Sequence, residues 1–93
     1  MDAERLKLHA ELLEQEIQEN CGASKDVEWL AAYPPLVDAM QAAKRGEIGE
    51  PRELGDGLGW WVFESNIQSF KGLAHRLCQF ELLLRGWSLS EDD

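Results

Sequence analysis

The chain predicts an all-α domain, a small bundle of four or five helices, and three apolar patterns carry that expectation. Leu6, Ala10, Leu13, Ile17 and Cys21 recur at intervals of three and four residues, the spacing of one helical face. After the break "YPP" at 33–35, Leu36, Met40 and Ala43 restart the same spacing. Further on, Trp60, Phe63, Ile67, Phe70, Ala74, Leu77 and Leu84 follow an a/d-like pattern interrupted only by Glu81. Ninety-three residues suit one domain with a modest core, so residues 1–93 are read as a single acidic helical domain.

The first helix begins after Asp2, a good N-cap, with Glu4 in the first turn where the helix dipole favours an acid. Leu12 widens its apolar stripe. Asn20 and Gly22 supply the stop, glycine being suited to the left-handed position after a helix. The opposite face carries Glu4, Lys7, Glu11, Glu14 and Gln18, and faces either solvent or a basic partner. "GASKD" then links to a short second helix, capped by Asp26 or Ser24, that contains Val27, Trp29, Leu30 and Ala31. Proline at 34 pushes Tyr33 out of the helical region and ends that helix. With its φ preset, Pro35 opens a third helix, which runs to Lys44 and Arg45 near its C-terminus and stops at Gly46.

Residues 46–59, "GEIGEPRELGDGLG", read as a loop, or as a loop around a short helix starting at Pro51. The spacing Gly55-x-Gly57-x-Gly59 invites a nucleotide-binding reading. No strand precedes it, and Asp56 with its acidic neighbours would repel phosphate, so that reading is rejected. In the adjoining "GLGWWVFES", a helix places Trp60, Phe63 and Ile67 on the core stripe, with Trp61 about a hundred degrees away beside Glu64. A lone strand "WWVF" would have nothing to pair with, so helix is the expectation. Leu73, Cys78 and Phe80 broaden the last apolar stripe. Ser65 with Gln68 resembles a capping box, which divides the pattern into two helices near Ser65. Gly86 closes the last helix, and about residues 88–93 form a disordered acidic tail. The expected core is Leu6, Leu13, Ile17, Leu30, Met40, Trp60, Phe63, Phe70 and Leu77.

Charge narrows the function. Nine basic and eighteen acidic residues leave a formal charge of −9, which repels nucleic acid and anionic membranes and steers cationic partners inward. Residues 1–20 hold six acids and two bases, a balance of −4, whereas residues 66–90 hold three bases and one acid, a balance of +2. The plainer meaning of the acidity is solubility. No apolar signal segment opens the chain and no apolar run is long enough for a membrane span, so cytoplasm is expected, with Cys21 and Cys78 reduced.

No arrangement of catalytic type emerges. His9, His75, Cys21 and Cys78 lack a second ligand at helical or C-x-x-C spacing, so neither a metal nor a cofactor is expected. His9 reads as a helix-boundary residue and His75 as lying on the polar flank of the last helix. The many carboxylates read as a solvated face rather than a general-acid pair. Apart from Lys44-Arg45, the bases are scattered singly, without the aromatic-plus-basic stripe of a nucleic-acid surface. Protein binding remains, for a non-enzymatic acidic domain. Trp60 and Trp61 cannot share one stripe, so Trp61 is expected either to anchor a partner or to make a second core contact. The expected partner-facing residues are Glu11, Glu14, Glu53, Asp56, Trp61 and Glu64.

The order of features over residues 30–80 resembles small helical immunity proteins that neutralise secreted bacterial toxins, including type VI effectors. Tyr33-Pro34 opens an amphipathic segment, and Leu54-Gly55 and Leu58-Gly59 lead into an apolar segment with Glu64. The resemblance implies an inhibitor, a monomer or small homo-oligomer, that occludes a basic toxin, and it assigns no individual binding residue. Two alternatives stand beside it: a phage-encoded inhibitor of a host defence complex of CRISPR type, and a helical adaptor or oligomerisation module using the a/d stripe.

Overall fold

In the computed structural model, residues 3–51, 54 and 64–86 are described. Four α-helices appear among them: α1 (Ala3–Asn20), α2 (Lys25–Ala31), α3 (Pro34–Lys44) and α4 (Lys71–Leu84). A 3₁₀ turn at Asn66–Ser69 precedes α4, and no strand occurs among the described residues. The domain is all-α, as the spacing predicts.

α1 is the central element, packing on α3, α4 and α2. Its buried residues are Leu6, His9, Ala10, Leu13 and Ile17, which adds a histidine to the expected stripe. His9 is only 3% exposed, so it is a core residue and not a boundary one. One helical turn separates it from Leu6 and Leu13, and this shared face carries it inward. Cys21 and Cys78 are exposed free thiols, each turned away from the stripe that was expected to include it. Gly22, Gly46 and Gly86 follow α1, α3 and α4 with φ of +98°, +70° and +86°, the left-handed geometry that ends a helix.

Ser24, rather than Asp26, caps α2: its hydroxyl accepts from the Asp26 backbone N–H at 3.1 Å. Asp26 is used elsewhere. Its Oδ2 accepts from the Asn66 backbone N–H at 2.7 Å, satisfying the first donor of the 3₁₀ turn from across the fold. The Asn66 side-chain amide completes the latch by donating to Ser24 Oγ at 3.2 Å. Both prolines of "YPP" lie inside α3, with Pro34 at the first position, so that helix begins one residue before the expected start. Ser24→Ala removes a helix cap and one strut of the latch together, and should cost about 1–2 kcal/mol. Thermal denaturation beside Ser24→Thr, which keeps the hydroxyl, checks this. An unchanged melting temperature in the alanine variant would show that the latch contributes nothing.

The long C-terminal pattern breaks as expected at Ser65, whose hydroxyl accepts from Ile67 N–H at 3.2 Å. That bond reaches the second position of the turn and not Gln68, so the geometry differs from a capping box. A further break falls at Phe70, with φ −99° and ψ 80°. Because the backbone leaves the helical region there, Phe70 is turned off the stripe and is half-buried against the core, not enclosed by it. Leu73, Leu77, Phe80, Leu83 and Leu84 form the buried side of α4. Ile48 and Leu54, from a segment expected to be loop, are also buried and close the core. Of the expected core, Leu6, Leu13, Ile17, Leu30, Met40 and Leu77 are enclosed. Trp60 and Phe63 lie outside the described residues, as does the tail at 88–93.

Candidate functional site

α1 turns its second face away from the bundle. Burial of Leu6, Ala10, Leu13 and Ile17 leaves Glu4, Lys7, Leu8, Glu11, Gln15, Gln18 and Glu19 exposed. Leu8 is the unexpected member, at 52% exposure. On a helix its neighbours at i−4, i−3, i+3 and i+4 are Glu4, the half-buried Arg5, Glu11 and the half-buried Leu12. An apolar side chain therefore stands among charged ones, two of them carboxylates. Neither Glu4 nor Glu11 is ion-paired among the described residues, and both are exposed. Farther along this face, Gln15 donates to Glu19 at 3.3 Å.

Glu14 lies on the flank of α1 and is already engaged. Lys44 Nζ, at the end of α3, sits 3.0 Å from both of its carboxylate oxygens. The two side chains are about one-third exposed, at 34% and 36%, so solvent screens the pair only partly. Lys44 was expected to serve the C-terminus of its own helix, yet its ammonium reaches thirty residues back. Beside this pair, α1 and α3 enclose a groove of about 190 Å³ lined by Glu14, Ile17, Gln18, Ala31, Val37, Met40 and Gln41.

The exposed tryptophan among the described residues is Trp29, at 46% exposure. Its ring stacks on Tyr33, with centroids 4.9 Å apart and planes 25° from parallel. The stack bridges the α2–α3 junction and stiffens it. Ala31, at the end of α2, lines the groove, whereas Trp29, two residues earlier, does not.

Of the residues expected to face a partner, Glu11 and Glu64 are exposed and Glu14 is half-buried. Glu11 and Glu14 share α1, and of the two Glu14 lines the groove. Among the described residues, no hydrogen bond or ion pair links Glu64 to them. Glu53, Asp56 and Trp61 lie outside the described residues, as do the glycines at 55, 57 and 59. Leu8 and Trp29 escaped the sequence reading, although Leu8 had a legible signal: it sits half a turn from the α1 stripe.

Among the described residues, no group of three or more histidine, cysteine or acidic side chains is placed to hold a metal ion, and no helix is long and apolar enough to cross a membrane. No family model, curated protein or solved structure matches this chain.

Proposed function

We propose that this protein is a non-enzymatic acidic inhibitor that binds and blocks a basic protein, as an immunity protein neutralising a cognate bacterial toxin. One observation carries the binding reading: exposed Leu8 stands beside Glu4 and Glu11 on the outward face of α1, an apolar contact among charged side chains that include Lys7. Such an arrangement matches the desolvated centre and charged rim of a protein interface. A formal charge of −9 supports a cationic partner, since the long-range field raises encounter rates with one sign of charge and suppresses the other. The toxin as partner rests on the resemblance of residues 30–80 to small helical immunity proteins.

The test is capture from a bacterial lysate with the wild-type chain and with Glu4→Lys/Glu11→Lys, followed by an activity assay of the captured protein. A basic toxin held and inhibited by the wild type, and lost by the charge-reversed variant, is the expected result. Equal capture by both would remove the α1 face from the mechanism. A captured protein that stays fully active would end the inhibitor reading.

Salt adds a kinetic prediction. Exposed charges are screened within about 8 Å at physiological ionic strength. Association with the captured partner should slow by an order of magnitude or more between low and high salt, while dissociation changes less. Stopped-flow rates that are flat across that range would make the acidity a solubility feature.

A further inference from the structure

We infer that the groove between α1 and α3 receives one arginine side chain of the basic partner, and that Lys44 occupies its anion until the partner arrives. The inference rests on the protein-binding reading and assigns that reading a specific pocket.

Size decides first. At about 190 Å³ the groove falls below the roughly 300–1,000 Å³ of sites that hold small molecules or cofactors, and it suits a single inserted side chain. Its chemistry is divided in the way a long cationic side chain requires. Ile17 and Met40 are buried, and Val37 and Ala31 half-buried, so the floor is apolar and accepts an aliphatic stem. Glu14, Gln18 and Gln41 stand at the polar rim. The side-chain amides of Gln18 and Gln41 make no hydrogen bond to another described residue, which leaves two carbonyl oxygens available beside the carboxylate.

Glu14 already holds a cation. The Lys44 ammonium lies 3.0 Å from each of its oxygens, so the carboxylate is oriented and partly dehydrated before any partner binds. An ammonium offers one point charge, whereas a guanidinium offers a planar fork that meets both carboxylate oxygens and still has donors for the two amides. Exchange of Lys44 for a partner's arginine therefore improves the hydrogen bonding at no net cost in charge pairing. The displaced Lys44 is long and already one-third exposed, and can extend into solvent. Glu11, exposed and without an ion pair among the described residues, stands one turn before Glu14 and draws the incoming cation towards the groove.

A hexa-arginine peptide at physiological salt is the probe, titrated into the full chain and followed by amide chemical shifts and calorimetry. Shifts should concentrate at Ile17, Val37 and Gln41, and hexa-lysine should bind several-fold more weakly. Lys44→Met should tighten binding about threefold or more by vacating Glu14, and Glu14→Gln should weaken it about fivefold or more. Lys25→Met and Glu50→Gln change the same net charge outside the groove and the α1 face, and should each move affinity less than twofold. Melting curves accompany every variant, and Lys44→Gln replaces Lys44→Met if the latter loses its fold. Equal gains from Lys44→Met and Lys25→Met would reduce the effect to net charge and overturn the groove. Shifts confined to Glu4, Leu8 and Glu11 would overturn the groove while leaving the acidic binding face in place. No binding of either peptide would overturn the groove as well, while the lysate capture independently decides the broader reading.

Discussion

Phe80→Ala is expected to lower the stability of the domain by about 3–5 kcal/mol, the range found when a fully enclosed phenylalanine is truncated. Phe80 has 0% exposure and heads the fully buried side chains by volume. It belongs to the cluster that joins α4 to Leu6, Leu13 and Ile17 of α1, so the void would open between the two elements that carry the fold. A domain of this size has roughly 5–14 kcal/mol of total stability, and the loss would leave much of it unfolded at physiological temperature. The comparison that tests the architecture is Phe70→Ala. Phe70 sits at the backbone break and is half-buried, so its truncation should cost about 1–2 kcal/mol. Urea unfolding of both variants gives the answer. Equal losses would mean that the turn at Phe70 does not remove its ring from the core.

The contrast between these phenylalanines shows how far the fold was legible. Within α1 and α3 the 3.6-residue period is uninterrupted, and the buried residues follow it: Leu6, Ala10, Leu13 and Ile17 on one, Leu36, Met40 and Ala43 on the other. Helix stops were equally readable, because glycine at 22, 46 and 86 supplies a conformation that other residues resist. Periodicity fails where the backbone changes its own period. The 3₁₀ turn and the break at Phe70 put Ile67 and Leu73 in register with the core and Phe70 out of it, yet nothing in the spacing announces that shift. His9, expected at a helix boundary, is buried instead, because it lies inside α1 one turn from Leu6 and Leu13 on the same face.

The surface was less legible than the core. Side-chain pairing across helices depends on tertiary geometry, so Lys44 could be assigned to its own helix end but not to Glu14. The groove likewise needs two helices side by side before it exists. Leu8 could have been found from its helical angle alone, while the exposure of Trp29 depends on how the short α2 docks. Trp61, the tryptophan expected at the partner surface, lies outside the described residues, and among the described residues the exposed tryptophan is Trp29.

Trp29→Ala is expected to leave the fold intact and to cost about 2 kcal/mol or more of binding to the captured partner, roughly a thirtyfold loss of affinity. The residue is nearly half exposed, and stacking on Tyr33 is worth only about 0.5–1.5 kcal/mol, so the melting temperature should fall by a few degrees. The binding effect is larger because the stack fixes the ring before a partner arrives. A preorganised aromatic surface loses little freedom on association. An arginine seated in that groove belongs to a segment whose flanking residues need a platform, and tryptophan accepts both apolar and cationic neighbours. Trp29→Phe keeps a flat ring on Tyr33 and should retain most of the affinity, which separates the platform from a simple loss of buried area. A folded Trp29→Ala variant with wild-type affinity would place the interface on the Leu8 face alone. Tyr33→Leu then distinguishes the remaining contributions: it removes the stacking partner while keeping an apolar side chain, and affinity should fall only if the fixed orientation of Trp29 matters.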